Sequence, residues 1–204
     1  MSRKVLVASG NAHKIEEMRR LIAESLGPDS GLEIVGLPDV PAYPEPVEDG
    51  RTFEENALIK AWAGFKASGL PTLADDSGIA VDVLNEMPGV RSARWAGPGA
   101  GDEANLQLLL RQVSDVEAPR RTGRFVCALA LVADGVETVA RGVVEGVLTT
   151  EPRGENGFGY DPIFLPDSFE RTTAEMSAEE KDAISHRGRA VRAMAPNLEA
   201  LVES

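Results

Sequence analysis

The segment "KVLVASGNAHKIEEMRRLI", residues 4–22, decides the fold class. Its first six residues form an almost uninterrupted apolar run, which is typical of a buried β-strand. After Gly10 and Asn11, apolar side chains recur at helical spacing, at Ile15, Met18, Leu21 and Ile22. A strand that passes directly into an amphipathic helix predicts an α/β protein.

Strand patterns recur along the rest of the chain. They cover residues 32–37, 71–74, 78–84, 123–134 and 137–148. The last two are long, and Asp134 and Gly135 between them should form the turn of a hairpin. The Pro-rich segment at residues 38–50 is too irregular for a core element, so it is either a plain connection or part of a site.

Two helices are predicted between these strands. Thr52 and Glu55 form a capping-box pattern, after which apolar residues keep helical spacing up to Gly69. Asp102 should cap a second helix over residues 102–113. Each helix follows or precedes a strand, which extends the α/β pattern.

The C-terminal part carries a last helical pattern. Ser177 and Glu180 form another capping box, and apolar residues then recur at helical spacing up to Leu201. Pro196 should kink that helix or restart it. Because strands and helices alternate without a linker or repeat, one mixed α/β domain is predicted over residues 1–204.

The charge balance excludes one broad class of function. The chain has 33 Asp and Glu against 21 Lys and Arg, a net charge of −12. A general nucleic-acid-binding surface needs a basic face, so nucleic acid is not expected as a partner. An anionic small molecule would need locally placed cations and backbone N–H groups, together with a divalent cation.

Cysteine usage and hydropathy indicate the compartment. The single cysteine, Cys127, lies in the apolar run "FVCALALV" and should be a buried, unreactive thiol. No disulfide framework is available, and neither a signal peptide nor a membrane-spanning apolar stretch is expected. These features predict a cytoplasmic protein that does not bind membranes.

The tetrad in "LADDSG", residues 73–78, has two interpretations. Asp, Ser and Gly are favoured in tight turns, so residues 75–78 could simply join two strands. A cap or turn, however, would use only one of the two carboxylates. The other, whether Asp75 or Asp76, would then have no structural role. The alternative is the centre of a metal site.

The segment "SGNAHK", residues 9–14, lies between the first strand and the first helix. Free N–H groups and the helix dipole at such a junction attract phosphate, and Ser9, Asn11 and Lys14 would add side-chain donors. The P-loop spacing is missing. The plain alternative is a strand-to-helix turn with Asn11 as the cap and His13 on the surface.

Acidic residues recur in pairs that could hold a cation. The pairs are Glu48 with Asp49, Glu54 with Glu55, and Asp75 with Asp76. Mg²⁺ needs only one or two protein carboxylates besides phosphates and water, so two pairs that meet in space would suffice. Capping alone would explain Glu55, and solvation alone would explain Asn56.

The segment "GENGFGYDP", residues 154–162, combines three glycines with aromatic residues. Such a loop can bring its backbone close to a ligand while Phe158 stacks on a base. The alternative is a flexible turn whose Phe158 and Tyr160 pack into the core.

The segment "SHRG", residues 185–188, places one of two histidines beside an arginine. His186 and Arg187, with Lys181 about one helical turn earlier, could donate hydrogen bonds to a carbonyl or to phosphate. The alternative is an exposed basic helix start.

Six motifs in order resemble those of the inosine triphosphate pyrophosphatase family. They are "SGNAHK", "FEENALIKA", "LADDSGIAVDVL", "GVRSARWAG", "GENGFGYDPIF" and "EEKDAISHRG", and the resemblance extends from Lys4 to about Ala193. It implies a two-lobed α/β structure around a long, bent mixed sheet, with the nucleotide in a cleft between the lobes. It also implies a homodimeric house-cleaning enzyme that hydrolyses ITP, dITP or XTP to the monophosphate and pyrophosphate with Mg²⁺.

The resemblance also implies roles for individual residues. Asp76 would be the proton acceptor and a metal ligand, and Glu48 a second metal ligand. Substrate would contact Ser9, Gly10, Asn11, Ala12, His13, Lys14, Ser77, Phe158, Gly159, Tyr160, Asp161, Lys181, His186 and Arg187. Lys14 and Lys181 would stabilise the phosphates, and Glu55 matches a recurrent acid of the family.

Two other functions stay open. A related pyrophosphatase with pyrimidine preference would hydrolyse dTTP or UTP, but the motifs at residues 158–162 and 185–188 argue against it. A nucleotide sensor without turnover would be favoured if Asp75 or Asp76 were replaced, and both are present.

Overall fold

One mixed sheet of six strands organises residues 2–203, the part of the chain that the computed structural model describes. In chain order the strands are β1 (Arg3–Val7), β2 (Leu32–Val35), β3 (Thr72–Val81), β4 (Thr122–Ala133), β5 (Val136–Leu148) and β6 (Phe164–Pro166). Across the sheet the order is β2, β1, β3, β4, β5, β6. β1 is parallel to both β2 and β3, whereas β5 and β6 are antiparallel.

Five α-helices accompany these strands within the same residues. They are α1 (Ala12–Leu26), α2 (Phe53–Ser68), α3 (Gly101–Gln112), α4 (Ala178–Ile184) and α5 (His186–Glu203). The predicted α/β class is therefore confirmed. The turn between β4 and β5 is also confirmed, because Asp134 and Gly135 both have the positive φ that a two-residue hairpin requires.

The helix ends follow the predicted capping residues. Asn11 Oδ1 accepts the His13 and Lys14 N–H groups at the start of α1. Thr52 Oγ1 accepts the Glu55 N–H at the start of α2. The Glu55 carboxylate accepts from the N–H of the residue before Thr52, so this capping box is not reciprocal. At α4, the box of Ser177 and Glu180 is complete.

The structure corrects several predicted boundaries. β3 runs without interruption from Thr72 to Val81, so the prediction of two strands joined by a turn at the tetrad is wrong. A 3₁₀ helix, Asp82–Leu84, replaces the predicted end of that strand. α5 continues through Pro196 rather than restarting there. The predicted cap at Asp102 is also wrong, because Ala100 precedes α3 and no side chain caps it.

The chain divides into two compact units. The first comprises residues 1–76, 127–142 and 187–204, and the second residues 77–126 and 143–186. In the first unit, apolar residues of β1, α1, β4 and α5 form one core cluster. In the second, a separate cluster joins β3, α3, β4, β5 and residues 160–164, which lead into β6. Each unit thus has its own buried apolar centre.

Cys127 lies in the core of the first unit, as the sequence predicts. Burial raises the pKa of its thiol to about 12, so the reactive thiolate is suppressed at neutral pH. We expect iodoacetamide at pH 8 to label the native protein at least ~100-fold more slowly than the unfolded protein. Equal labelling rates, followed by mass spectrometry with and without urea, would contradict this burial.

Within residues 2–203, every helix is too short or too polar to cross a bilayer.

Candidate active site

Two adjacent carboxylates lie in the middle of β3 and are almost completely buried. Asp75 is 3% exposed and Asp76 is 7% exposed. As consecutive strand residues they direct their side chains to opposite faces of the sheet. Their buried charges therefore require different partners, and the first unit supplies both sets.

Asp75 is held by two cations. Its Oδ2 lies 3.0 Å from Lys14 Nζ and accepts a hydrogen bond from Arg187 Nη2 at 3.1 Å. The same guanidinium donates through Nη1 to the buried Glu17 carboxylate. Burial alone would raise the pKa of Asp75, but Lys14 and Arg187 outweigh it and hold that pKa well below its usual range. Asp75 is thus ionised at neutral pH.

Asp76 has a different environment. Its Oδ2 accepts a hydrogen bond from Asn56 Nδ2 at 3.1 Å, and its Oδ1 lies 3.6 Å from Lys60 Nζ. Burial raises the pKa of Asp76, and the positive charge of Lys60 only partly opposes that effect. A carboxylate with a raised pKa beside an ionised one is a common arrangement for general acid–base chemistry.

Asn56 connects this carboxylate to the Pro-rich segment. It is fully buried, and its Oδ1 accepts the Gly50 N–H at 2.9 Å while its amide nitrogen donates to Asp76. The prediction that solvation explains Asn56 is therefore wrong. Glu55, by contrast, is exposed and bonds the backbone before the helix, which agrees with a capping role.

Glu48 and Asp76 converge on one cationic group. Lys60 Nζ lies 3.1 Å from Glu48 Oε1 and 3.6 Å from Asp76 Oδ1. Two carboxylate oxygens therefore meet at the Lys60 ammonium, and no group of three or more acidic, His or Cys residues that could hold a metal ion occurs among the described residues. Mg²⁺ needs only one or two protein carboxylates when phosphates and water complete its shell, so Glu48 and Asp76 have the chemistry that such a site requires.

The turn between β1 and α1 is largely exposed. Gly10, Ala12 and His13 are exposed, and Ser9 Oγ accepts the Asn11 N–H at 3.2 Å. Asn11 caps α1, as its plain interpretation predicts, while Lys14 extends to Asp75. The positive end of the α1 dipole lies at this turn, which favours anion binding.

The glycine-rich loop, residues 153–162, is built around a buried ion pair in the second unit. Lys181 Nζ lies 2.7 Å from Asp161 Oδ2, and both side chains are buried. The same Oδ2 accepts the Phe158 N–H at 2.9 Å, and Thr173 Oγ1 donates to Asp161 Oδ1 at 2.8 Å. Lys181 Nζ also lies 5.0 Å from the centre of the Phe158 ring. Asp161 therefore binds both the Lys181 ammonium and the backbone N–H of Phe158.

Tyr160 and His186 pack into the second unit. The Tyr160 hydroxyl donates to the Ser92 carbonyl at 2.8 Å, and its ring belongs to the core cluster. The His186 ring stacks on Phe125 with centroids 4.9 Å apart and an angle of 14°. His186 and Arg187 are both buried, so the exposed-helix interpretation of this pair is wrong. Ser77, on β3, is partly buried.

Gly157 is required by the buried Asp161. Its φ is +76°, and a Cβ at this position would overlap Asp161 Oδ2. Gly159 has a similar φ of +62° but open space around a Cβ. Gly157→Ala should therefore lower the free energy of unfolding by ~1–3 kcal/mol more than Gly159→Ala, which incurs the backbone penalty alone. Urea unfolding of both variants would measure it, and equal losses would contradict the packing argument.

Three site residues were not predicted from the sequence. Lys60 lies in the quoted "FEENALIKA" motif, but no local sequence pattern indicates that it belongs to a site. Glu17 has the pattern of an ordinary polar residue on an amphipathic helix. Solvation alone is a sufficient explanation of Asn56 at the sequence level. All three are buried or nearly so and bond a β3 carboxylate or its partner. A buried polar residue can be recognised only when its partner is known.

The chain matches the model of the Ham1 family over residues 5–197. A dITP/XTP pyrophosphatase of Cutibacterium acnes is 57% identical over 203 residues, which cover 98% of each chain. One of Nocardia farcinica is 54% identical and covers 98% of this chain and 97% of the relative.

Solved structures agree with this match. A nucleoside-triphosphatase and dITP/XTP pyrophosphatase from Mycobacterium abscessus has a TM-score of 0.76 at 53% identity, covering 95% of this chain and 99% of the other. A HAM1 protein from Coxiella burnetii has a TM-score of 0.83 at 39% identity, covering 99% and 100%. The resemblance seen in the sequence is confirmed, and the chain belongs to the Ham1 family.

Proposed function

We propose that the protein is a nucleoside-triphosphate pyrophosphatase that hydrolyses the non-canonical purine nucleotides ITP, dITP and XTP to the monophosphate and pyrophosphate. The observation that carries the proposal is the pair of buried carboxylates on β3, of which Asp75 is held ionised while Asp76 has a raised pKa. Relatives at 54–57% identity, named dITP/XTP pyrophosphatases, support the substrate class.

Phosphates bind at the first unit. The α1 N-terminus with Ser9, Asn11 and Lys14 offers N–H groups, a hydroxyl and an ammonium to an anion. Lys60 adds a second ammonium beside Asp76. Gly10, Ala12 and His13 contribute backbone to the same turn, and Ser77 follows Asp76 directly along β3. These groups offset the net negative charge of the chain locally.

Glu48 and Asp76 would hold Mg²⁺ together with the phosphates. When bound, the ion supplies charge neutralisation on the phosphate oxygens. Asp76 orients an attacking water and takes its proton as the water oxygen bonds to phosphorus and the anhydride between the α and β phosphates breaks. Arg187 and Lys14 keep Asp75 ionised on the opposite face of the sheet. We assign Arg187 to this supporting role.

The second unit binds the base. Phe158 offers a ring for stacking, Asp161 holds Lys181 beside that ring, and Tyr160 and His186 pack into the same unit. Hypoxanthine and xanthine carry an acceptor at O6, which Lys181 or His186 can satisfy; because Lys181 lies beside Phe158, we place it at the base and not at the phosphates. Adenine has an amino donor there, and facing donors cost ~1–3 kcal/mol because buried polar groups stay unpaired.

Assembly and location complete the proposal. A homodimer is proposed from the family resemblance. The buried, unpaired Cys127 suits a reducing compartment, and the cytoplasm is proposed on that ground.

Pyrophosphate and orthophosphate release from ITP, XTP, ATP, GTP and dTTP, with Mg²⁺ and again with a chelator, tests the function. We expect pyrophosphate from ITP and XTP only, lost on chelation. Turnover of dTTP would instead indicate the pyrimidine-preferring relatives. ITP binding without turnover would indicate a nucleotide sensor, and both results would contradict the proposal.

A further inference from the structure

Three consecutive residues of the glycine-rich loop each donate one hydrogen bond to a different acceptor. The Phe158 N–H binds Asp161 Oδ2 and the Gly159 N–H binds Asp102 Oδ2, both at 2.9 Å. The Tyr160 hydroxyl binds the Ser92 carbonyl at 2.8 Å. Asp161 belongs to the loop itself, whereas the other two acceptors come from elements far away in the sequence.

Asp102 is the unexpected member of this set. It lies in the first turn of α3, where an aspartate would ordinarily cap the helix, yet no side chain caps α3. Its carboxylate is instead bonded to Gly159, 57 residues away. We infer that Asp102 is a positioning residue that holds the glycine-rich loop in the shape required for purine selection. This inference rests on the proposed function of the loop.

Packing around Gly159 explains why this bond matters. A Cβ on Gly159 would meet nothing within 4 Å, and its φ of +62° is accessible to glycine at little cost. No side chain therefore packs where a Cβ of this residue would lie. The hydrogen bond to Asp102 restrains Gly159 and, through it, adds to the contacts of the adjacent Phe158 with Asp161 and Lys181.

The other anchors remain when Asp102 is removed. Tyr160 is buried, and its acceptor Ser92 is itself fixed, because Ser92 Oγ accepts the Ile79 N–H of β3 at 2.9 Å. Asp161 stays paired with Lys181. Loss of Asp102 should therefore loosen Phe158 and Gly159 without unfolding the second unit.

The same bond affects selectivity. Because Asp102 and Asp161 already accept the Gly159 and Phe158 N–H groups, these backbone donors are not offered to the base. Once freed, the Gly159 N–H becomes a mobile donor that can bond an acceptor of any base. Discrimination between purines should then weaken.

Asp102→Ala tests the inference, with Glu103→Ala as the matched control. Glu103 is also an exposed acid in the first turn of α3, and its carboxylate bonds Gln107 on the same helix. Both variants lose the same favourable interaction with the helix dipole. Asp102→Asn is a rescue variant, because its amide oxygen can still accept the Gly159 N–H.

We expect Asp102→Ala to raise KM for ITP about fivefold, with kcat within about twofold of wild type, as loss of one partly exposed hydrogen bond implies. The preference for ITP over GTP in kcat/KM should fall by a similar factor. Glu103→Ala and Asp102→Asn should stay within about twofold of wild type. Deuterium uptake by residues 153–162 should rise in Asp102→Ala alone.

Two results would overturn the inference. One is an Asp102→Ala enzyme whose KM and deuterium uptake match those of Glu103→Ala. The other is an equal loss of kcat for every nucleotide together with a lowered Tm, which would indicate a merely structural role. A wild-type protein that hydrolyses no nucleotide would refute the proposed function instead, while deuterium uptake would still decide whether Asp102 positions the loop.

Discussion

Asp76→Asn should lower kcat for ITP by about a thousandfold at saturating Mg²⁺, within the usual range for loss of a general base. Asparagine keeps the size of Asp76 and can still accept from Asn56 Nδ2, but it cannot take a proton from water. The fold should persist, because removing one of two adjacent buried carboxylates also removes a desolvation cost. Initial rates of pyrophosphate release at several Mg²⁺ concentrations would measure the effect.

Asp49→Asn is the control for this prediction. Asp49 is exposed in the same Pro-rich segment as Glu48, so the substitution makes the same change of charge without touching the buried pair. It should leave kcat within about twofold of wild type. If Asp76→Asn kept more than a tenth of wild-type kcat, Asp76 would not be the proton acceptor.

Arg187→Met should cause the largest loss of stability. Arg187 is 1% exposed and is bonded to both Glu17 and Asp75, so its removal leaves two carboxylates buried around one missing cation. Breaking a buried ion pair in this way costs ~3–5 kcal/mol. For a chain of this size the midpoint of thermal unfolding should fall by about 10 °C. Urea unfolding at pH 7 would measure the free energy.

The pH dependence of that loss follows from the pKa of Asp75. In the native protein this pKa is lowered, so the stabilisation from Asp75 is present above its unfolded pKa and is lost as pH falls through the folded value. In Arg187→Met, burial opposes ionisation and only Lys14 and Lys60 counter it, so the folded pKa rises. The difference in stability between variant and wild type should therefore be largest at neutral pH and shrink below about pH 5.

Arg189→Met provides the matched comparison on the same helix. Arg189 is exposed, so its loss should change the free energy of unfolding by less than ~0.5 kcal/mol. An Arg187→Met variant that lost less than ~1 kcal/mol at pH 7 would show that the network around Asp75 is not a structural requirement.

Local patterns predicted much of the fold because they act over a few residues. The Asn11 and Thr52 caps, the box at Ser177 and the hairpin turn at Asp134 each depend on a side chain or φ value within four residues of its partner. The apolar run around Cys127 also predicted its burial. Periodicity and capping chemistry were sufficient for these features.

The same local rules failed at Asp75, Asp76 and Asp102. Turn preferences of Asp, Ser and Gly predicted a break at the tetrad, but sheet pairing and burial keep β3 continuous. Asp102 was predicted to cap its own helix, and it bonds Gly159 instead. In each case an interaction with a partner that is distant in the sequence replaces the local turn or cap.

The sequence by itself determined the α/β class, most helix ends and the family, because these depend on short-range periodicity and on ordered motifs. Only the tertiary structure decided how the buried charges are paired, since Asp75 meets Arg187 across 112 residues and Asp76 meets Asn56 across 20. A buried carboxylate without a partner has a large desolvation cost when it is ionised. The partners that it meets in the fold therefore determine its pKa. The chemical difference between two adjacent aspartates therefore arises from the fold and cannot be predicted from their own segment.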